Sequence, residues 1–273
     1  MRVVETPAVR AFIKCANDGW LQGWHERNGG NMSYRMRKEE LQACGGELSY
    51  GGEWFPLGVS APCLANEAFL VTGTNRYFQN ILARPEENIG ICQLNQSGDA
   101  WRLIWGLTAA GKPTSEFPTH ILNHAVRFQA SGGAARVIYH AHPVDVIALS
   151  FLLPPTARDY TRALWKAMTE CIVLFPRGLG VVEWMVCGGA EIAAATSKVM
   201  EDYEAVVWAQ HGLFCAGEDF DGTFGLMHAI VKAAQIYLKV KSSGMPVLQT
   251  IPDEGLRAIG KAFHLPVNED FLE

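Results

Sequence analysis

Apolar positions along the chain switch repeatedly between a helical period and a strand period, from one end to the other. Pro7 to Trp24 sets Val9, Phe12, Ile13, Ala16, Trp20 and Leu21 on one side of a helix, with Pro7 in its first turn. Met32 to Met36 alternates as a strand does. The stretch from Arg37 to Asn66 is rich in glycine and polar residues and predicts only short irregular strands and loops. Ala68 to Thr72 is a clearer strand, and the turn from Gly73 to Arg76 opens a short helix. Ile89 to Leu94 and Ala100 to Trp105 flank Asn95 to Asp99, a hairpin signal that makes part of the sheet antiparallel.

The second half continues the interleaving. A helix runs from about residue 115 to Arg127, capped by Thr114 or Ser115, with Pro118 in its first turn. Arg136 to His140 is a strand. Short helices follow over Val144 to Leu152 and Asp159 to Met168, then strands over Glu170 to Phe175 and Gly180 to Trp184. A helix from Gly188 to Tyr203 leads to strands at Ala205 to Trp208 and Gly212 to Cys215. A long helix starts at Asp219 or Asp221 and reaches Val240, and Glu254 to Phe263 forms a terminal one. No linker, repeat or low-complexity tract interrupts this order. The fold class is therefore α/β, one domain over residues 1–273, with a mixed or antiparallel sheet.

Composition narrows the function classes. With 49% hydrophobic and 19% charged residues the chain has a large core, so a disordered protein is excluded. The net charge of -5 and the lack of any Lys/Arg cluster argue against a nucleic-acid partner. There is no apolar run of membrane length and no signal peptide. Seven cysteines without a C-x-x-C pair read as small buried hydrophobes, which suits a cytoplasmic protein.

Candidate chemistry gathers at one strand end. His140 and His142 are spaced i, i+2, so a strand points both imidazoles one way, and Pro143 ends it. His211 sits at another apolar run broken by Gly212. Three histidines that leave a position open are the catalytic zinc pattern. The alternative is a pair of hydrogen-bonded histidines at a strand end. Glu116, His120 and His124 fall on one helix face at i, i+4, i+8, which could itself hold a metal or pack on the core. Packing suffices for His25, His228 and His264. Glu116 is either a helix-capping carboxylate or, near a metal, a ligand or general base. Glu170 is either a solvated end or a catalytic group. The turns Asn28-Gly29-Gly30-Asn31 and Thr72 to Arg76, and the helix start at Thr114-Ser115, each offer donors to an anion. Neither glycine-containing turn matches the P-loop or dinucleotide fingerprint, so ATP and NAD are poorly supported.

Glu26 to Asn31, Val71 to Phe78, Pro113 to Glu116, His140-Ala141-His142 and Gln210-His211-Gly212 together resemble the class II aldolase/adducin family. The likeness covers nearly the whole chain. With Thr169-Glu170-Cys171 it is nearest to the members that cleave L-rhamnulose 1-phosphate to dihydroxyacetone phosphate and L-lactaldehyde. The resemblance implies a largely antiparallel sheet with helices on both faces, in a homotetramer. It implies one Zn2+ per subunit on His140, His142 and His211, with Glu116 coordinating it at rest and swinging away to act as base. The metal would stabilise the enediolate. Asn28, Gly29, Asn31, Thr74, Thr114 and Ser115 would hold the substrate phosphate, and Glu170 would reach a neighbouring subunit's site. Thr74-Asn75-Arg76 departs from the Ser-Gly-Lys of close relatives, and Arg76 keeps a lysine's charge but not its shape.

Four rivals stand beside this reading. A lysine Schiff-base aldolase finds no lysine near the histidines. A related aldolase or epimerase for fuculose or ribulose phosphate is a second, since substrate stereochemistry is not visible in a motif. A non-catalytic adducin-type interaction protein would be expected to lack the histidines or Glu116. A zinc hydrolase would activate water instead of forming an enediolate.

Overall fold

Strand residues of alternating side bury both faces of one sheet, and helices cover each. The computed structural model describes residues 2–273. Among these residues the strands are β1 (Asn31–Arg35), β2 (Phe55–Pro56), β3 (Ala68–Thr72), β4 (Ile89–Leu94), β5 (Ala100–Gly106), β6 (Val137–Ala141), β7 (Gly180–Val182), β8 (Ala205–Trp208) and β9 (Gly212–Gly217). They form a single nine-stranded sheet in the order β2-β5-β4-β3-β1-β6-β9-β8-β7. Only β7 and β8 pair in parallel; the other neighbours are antiparallel.

The helices are α1 (Pro7–Leu21), α2 (Lys38–Cys44), α3 (Phe78–Ile81), α4 (Pro85–Asn88), α5 (Phe117–Ala130), α6 (Val144–Leu149), α7 (Ala157–Trp165), α8 (Thr169–Leu174), α9 (Ala190–Val199), α10 (Phe220–Ser242) and α11 (Asp253–Ala262). On one face Met32, Tyr34, Leu70, Val137, Tyr139, Leu213 and Cys215 pack with Phe12 of α1 and Ile230 of α10. On the other, Phe69 and Val71 meet Phe117 and Ile121 of α5, while Ile138, Val206 and Phe214 meet Ile192 of α9. Period two thus sends alternate residues of β3, β6, β8 and β9 to different cores. The mixed, largely antiparallel sheet between helix layers matches the expected class.

Two expected segments fold differently. Glu170 to Phe175 is not a strand; residues Thr169–Leu174 form α8. Its apolar run suits a strand, but Cys171, Ile172 and Phe175 are buried while Glu170 and Leu174 are exposed. That is the spacing of a helical stripe docked on α10, and docking overrides propensity. The glycine-rich region from Arg37 holds a helix too. Lys38-Glu39-Glu40-Leu41-Gln42-Ala43 are strong helix formers, and the Arg37 N–H donates to the Glu40 carboxylate at 2.7 Å. Of the seven cysteines five are buried, whereas Cys63 and Cys187 are exposed.

Polar groups enter the core at a few places. His25 and His120 are both buried, and burial pushes each imidazole down to about 3. His25 stacks on Phe78 with centroids 3.6 Å apart, and its Nε2 accepts from the Tyr139 hydroxyl at 2.7 Å. The folded state resists protonating these rings, while the unfolded chain takes up protons below about pH 6.5. Stability is therefore complete above that pH and is lost as pH falls from about 6.5 toward 3. The slope is on the order of 1 kcal/mol per pH unit for each histidine. Thermal unfolding of metal-stripped protein should show a midpoint that falls steadily from pH 7 to pH 5; a flat midpoint over that range would contradict the assignment.

Candidate metal centre

The register of three strands assembles the site. In the β1–β6 ladder Asn31 lies opposite His140, and in the β6–β9 ladder His140 lies opposite Phe214. His140 is fully buried, its ring stacked on Phe214 with centroids 4.1 Å apart. His142 follows β6 directly, and its N–H donates to the Trp24 carbonyl at 2.9 Å. His211 occupies the tight turn from β8 to β9, where Gln210 takes a left-handed φ of 53°. Gly212 comes next because a side chain there would run into the Ala141 carbonyl and crowd the His140 and His142 rings.

The three imidazoles converge. His140 Nε2 lies 3.2 Å from His142 Nε2 and 3.3 Å from His211 Nε2. One ligand atom from each histidine falls within 4.8 Å of the others, as a single metal ion requires. Tautomers give the fit a chemical test. His140 Nδ1 donates to the Leu213 carbonyl at 3.2 Å, and His142 Nδ1 donates to the Glu26 carboxylate at 2.7 Å. Both neutral rings then turn bare Nε2 lone pairs toward each other, an arrangement that a cation among them would stabilise. Burial, followed by the closeness of His142, lowers the other two rings: His211 to about 4 and His140 well below the ordinary imidazole range. Neutral imidazole is the form that ligates metal.

A buried carboxylate stands beside them. Glu116 is the residue before α5, and its Oε2 lies 3.9 Å from His140 Nε2. Burial raises its pKa, partly offset by the Asn31 amide, which donates to Oε2 at 2.9 Å. The other end of that amide faces His120 Nε2. His120 Nδ1 and His124 Nε2 both meet the Ser33 hydroxyl, at 2.6 and 2.9 Å. The face carrying Glu116, His120 and His124 thus packs against β1 and builds no second metal cluster among the described residues.

The anion-binding candidates divide. An isolated bridge joins Gly73 to Pro113, and the Thr74 N–H donates to the Lys112 carbonyl at 2.9 Å. The Thr114 N–H donates to the Thr72 carbonyl, also at 2.9 Å. The Thr74 turn and the Thr114-Ser115 helix start therefore lie side by side, next to Glu116. Their two threonines spend these N–H groups on each other's segments; the Thr114 hydroxyl oxygen also accepts from the Glu116 N–H at 3.3 Å and keeps its hydrogen to donate. Asn75 adopts φ 54°, a left-handed turn that asparagine tolerates well. Asn28 and Gly29 lie in the turn before β1, held by His25, whose Nδ1 donates to the Gly29 carbonyl at 3.0 Å. Asn31 differs from Asn28, since both ends of its amide are already engaged.

Glu170 lies elsewhere in the chain. It is exposed on α8 and shares a cleft with His228 and Lys232 of α10. Sequence reasoning missed Glu26, His25 and Ser33 as supports. Glu26 opens the Glu26–Asn31 motif, and Ser33 follows Asn31 by two, so both signals were present in the spacing.

Residues 10–238 match the family described as Class II Aldolase and Adducin N-terminal domain. The rhamnulose-1-phosphate aldolase of Klebsiella pneumoniae (strain 342) is 38% identical over 271 residues, 99% of this chain and 98% of that one. The rhamnulose-1-phosphate aldolase of Escherichia coli (strain K12) is 41% identical over 255 residues, 93% of each chain. Among solved structures, a sugar-phosphate aldolase from Thermotoga maritima superposes with a TM-score of 0.73 at 26% identity, covering 88% of this chain and 97% of that one. With the sheet order and the strand-end histidines in place, these matches establish that the chain belongs to the class II aldolase and adducin family.

Proposed function

We propose that this protein is a zinc-dependent aldolase that reversibly cleaves L-rhamnulose 1-phosphate to dihydroxyacetone phosphate and L-lactaldehyde. The observation that carries the reading is the convergence of His140, His142 and His211 beside the buried carboxylate of Glu116. The substrate follows from the full-length relatives of that name. An all-nitrogen, three-histidine donor set suits zinc and leaves room for a substrate. When bound, the ion supplies positive charge that offsets the negative charge developing on the ketose oxygens as the bond between carbons 3 and 4 breaks.

The chain's own residues do the rest. In the synthetic direction Glu116 removes a proton from the hydroxymethyl carbon of dihydroxyacetone phosphate; in cleavage it returns that proton. Burial raises its pKa from the ordinary carboxylate range, which makes it a stronger base than an exposed glutamate. Asn28 and Gly29 on one side, and the hydroxyls of Thr74, Thr114 and Ser115 on the other, bind the phosphate. Asn31 serves the site through Glu116. Glu170, exposed on α8 beside His228 and Lys232 and outside the cluster of His140, His142 and His211, acts near the aldehyde end of another subunit's site in a homotetramer. All seven cysteines are free, in keeping with a reducing cytosol, and no helix among the described residues is long and apolar enough to cross a membrane.

Metal analysis should find about one zinc per chain. Chelation should abolish retro-aldol turnover and added zinc restore it; full activity in chelator would overturn the metal assignment. Glu116→Ala should keep its zinc and lose roughly 100- to 10,000-fold in turnover, the range of a lost general base. Near-parental turnover would remove Glu116 from the role. A panel of ketose 1-phosphates should show L-rhamnulose 1-phosphate cleaved fastest; preference for the L-fuculose or L-ribulose compound would reassign the substrate within the family.

A further inference from the structure

The chain of polar side chains behind Glu116 has only one consistent arrangement of protons. Glu116 as a carboxylate can only accept, so Asn31 must turn its NH2 toward it. The Asn31 carbonyl then faces His120 Nε2, which must carry a proton. His120 is fully buried and neutral, so its Nδ1 is bare and accepts from the Ser33 hydroxyl at 2.6 Å. With its hydrogen spent, the Ser33 oxygen accepts from His124 Nε2 at 2.9 Å. Every donor therefore points one way, from His124 through Ser33, His120 and Asn31 to the carboxylate. His120, His124 and Ser33 are at most 1% exposed, so water cannot substitute for a missing member.

We infer that His120 is a positioning residue for the base: its Nε2–H, oriented by Ser33, locks the Asn31 amide in the rotamer that presents a donor to Glu116. Without that donor the amide is free to turn its carbonyl toward the carboxylate, and Glu116 loses both its hydrogen bond and its aim. Helical spacing supports the assignment. His120 lies on α5 one turn beyond Glu116, the residue that caps the helix start, and its N–H donates to the Glu116 carbonyl at 3.0 Å, so the residue that fixes the amide is tied through the first turn of the helix to the base. The inference rests on the proposed role of Glu116 and adds what holds it.

The test compares His120→Gln, which keeps a donor near the Nε2 position, with His120→Met, which has none. Both are made in the parent and in Glu116→Ala, as zinc-loaded protein. The readouts are kcat, KM, zinc content and the rate of proton exchange at the hydroxymethyl carbon of dihydroxyacetone phosphate. His120→Met should lose about 10- to 100-fold in kcat and in proton exchange, the usual cost of a lost supporting hydrogen bond, with KM changed less than about 2-fold. His120→Gln should recover most of the loss, and His120→Met should cost nothing further in Glu116→Ala. Parental kcat in His120→Met, equal losses in the two variants, or the same loss with Glu116 already absent would each overturn the inference. Should His120→Met fail to fold, Ser33→Ala takes its place. It should slow proton exchange in the parent and not in Glu116→Ala, and an unchanged rate in the parent overturns the inference. A Glu116→Ala protein with parental turnover would instead remove the base itself, and with it anything said to position the base.

Discussion

Two imidazole nitrogens whose hydrogens are committed elsewhere cannot bond to each other at 3.2 Å. The Leu213 carbonyl and the Glu26 carboxylate take the Nδ1 protons of His140 and His142, and what remains in the centre is lone pairs. Such a cluster is repulsive by itself and becomes favourable only around a cation. The sheet must therefore be rigid enough to hold the nitrogens together. Antiparallel pairing on both sides of β6 provides that rigidity: β1 and β9 fix the strand, the Trp24 carbonyl anchors the His142 backbone, and the Phe214 ring fixes the His140 plane.

The same register brings in Glu116. Asn31 sits opposite His140 on β1, and period two places Ser33 on the same face, under α5. The helix begins just after Glu116, where the chain has come from the bridge between Gly73 and Pro113. Glu116, the three clustered histidines and the Thr74 and Thr114 turns are thus drawn from distant segments by ladder geometry alone. A one-residue slip of β1 would turn Asn31 and Ser33 to the other face and expose Glu116 to an unpaired burial.

Much of this was legible in the chain because the informative residues obey simple periods. His140 and His142 share a side by the strand period, and the i, i+4, i+8 spacing of Glu116, His120 and His124 foretold one helix face. What was not legible depends on tertiary docking. Thr169 to Leu174 carries a strand-like apolar run and becomes helix because α10 offers a surface for one stripe of it. Lys38 to Cys44 was hidden by the glycines that follow, though its residues favour helix strongly. The hydrogen bonding of Asn31 was equally hidden. Its neighbours in the Glu26–Asn31 motif suggest an anion turn, yet strand pairing carries it past the turn and commits its amide to Glu116 and His120. Cys63 and Cys187 are exposed for a plainer reason: one lies in a single 3-10 turn and the other in a loop, both outside the main helices and strands.

Charge balance explains why a single buried acid suffices. Three neutral imidazoles would leave a divalent ion with its full charge, and Glu26, which bonds His142 from the exposed side, is screened by water. Glu116 is the one carboxylate among the buried groups of the centre, so a divalent ion and Glu116 together would retain net positive charge. A phosphorylated substrate brings the balancing negative charge with it. An uncompensated ion would then be a source of affinity for an anionic ketose as well as of reactivity, and the neutrality of His120 and His124 behind Glu116 keeps further positive charge away from its carboxylate. Burying those two rings deeply enough to stay uncharged costs acid stability, and the cost falls where it preserves the proton affinity of the carboxylate they support.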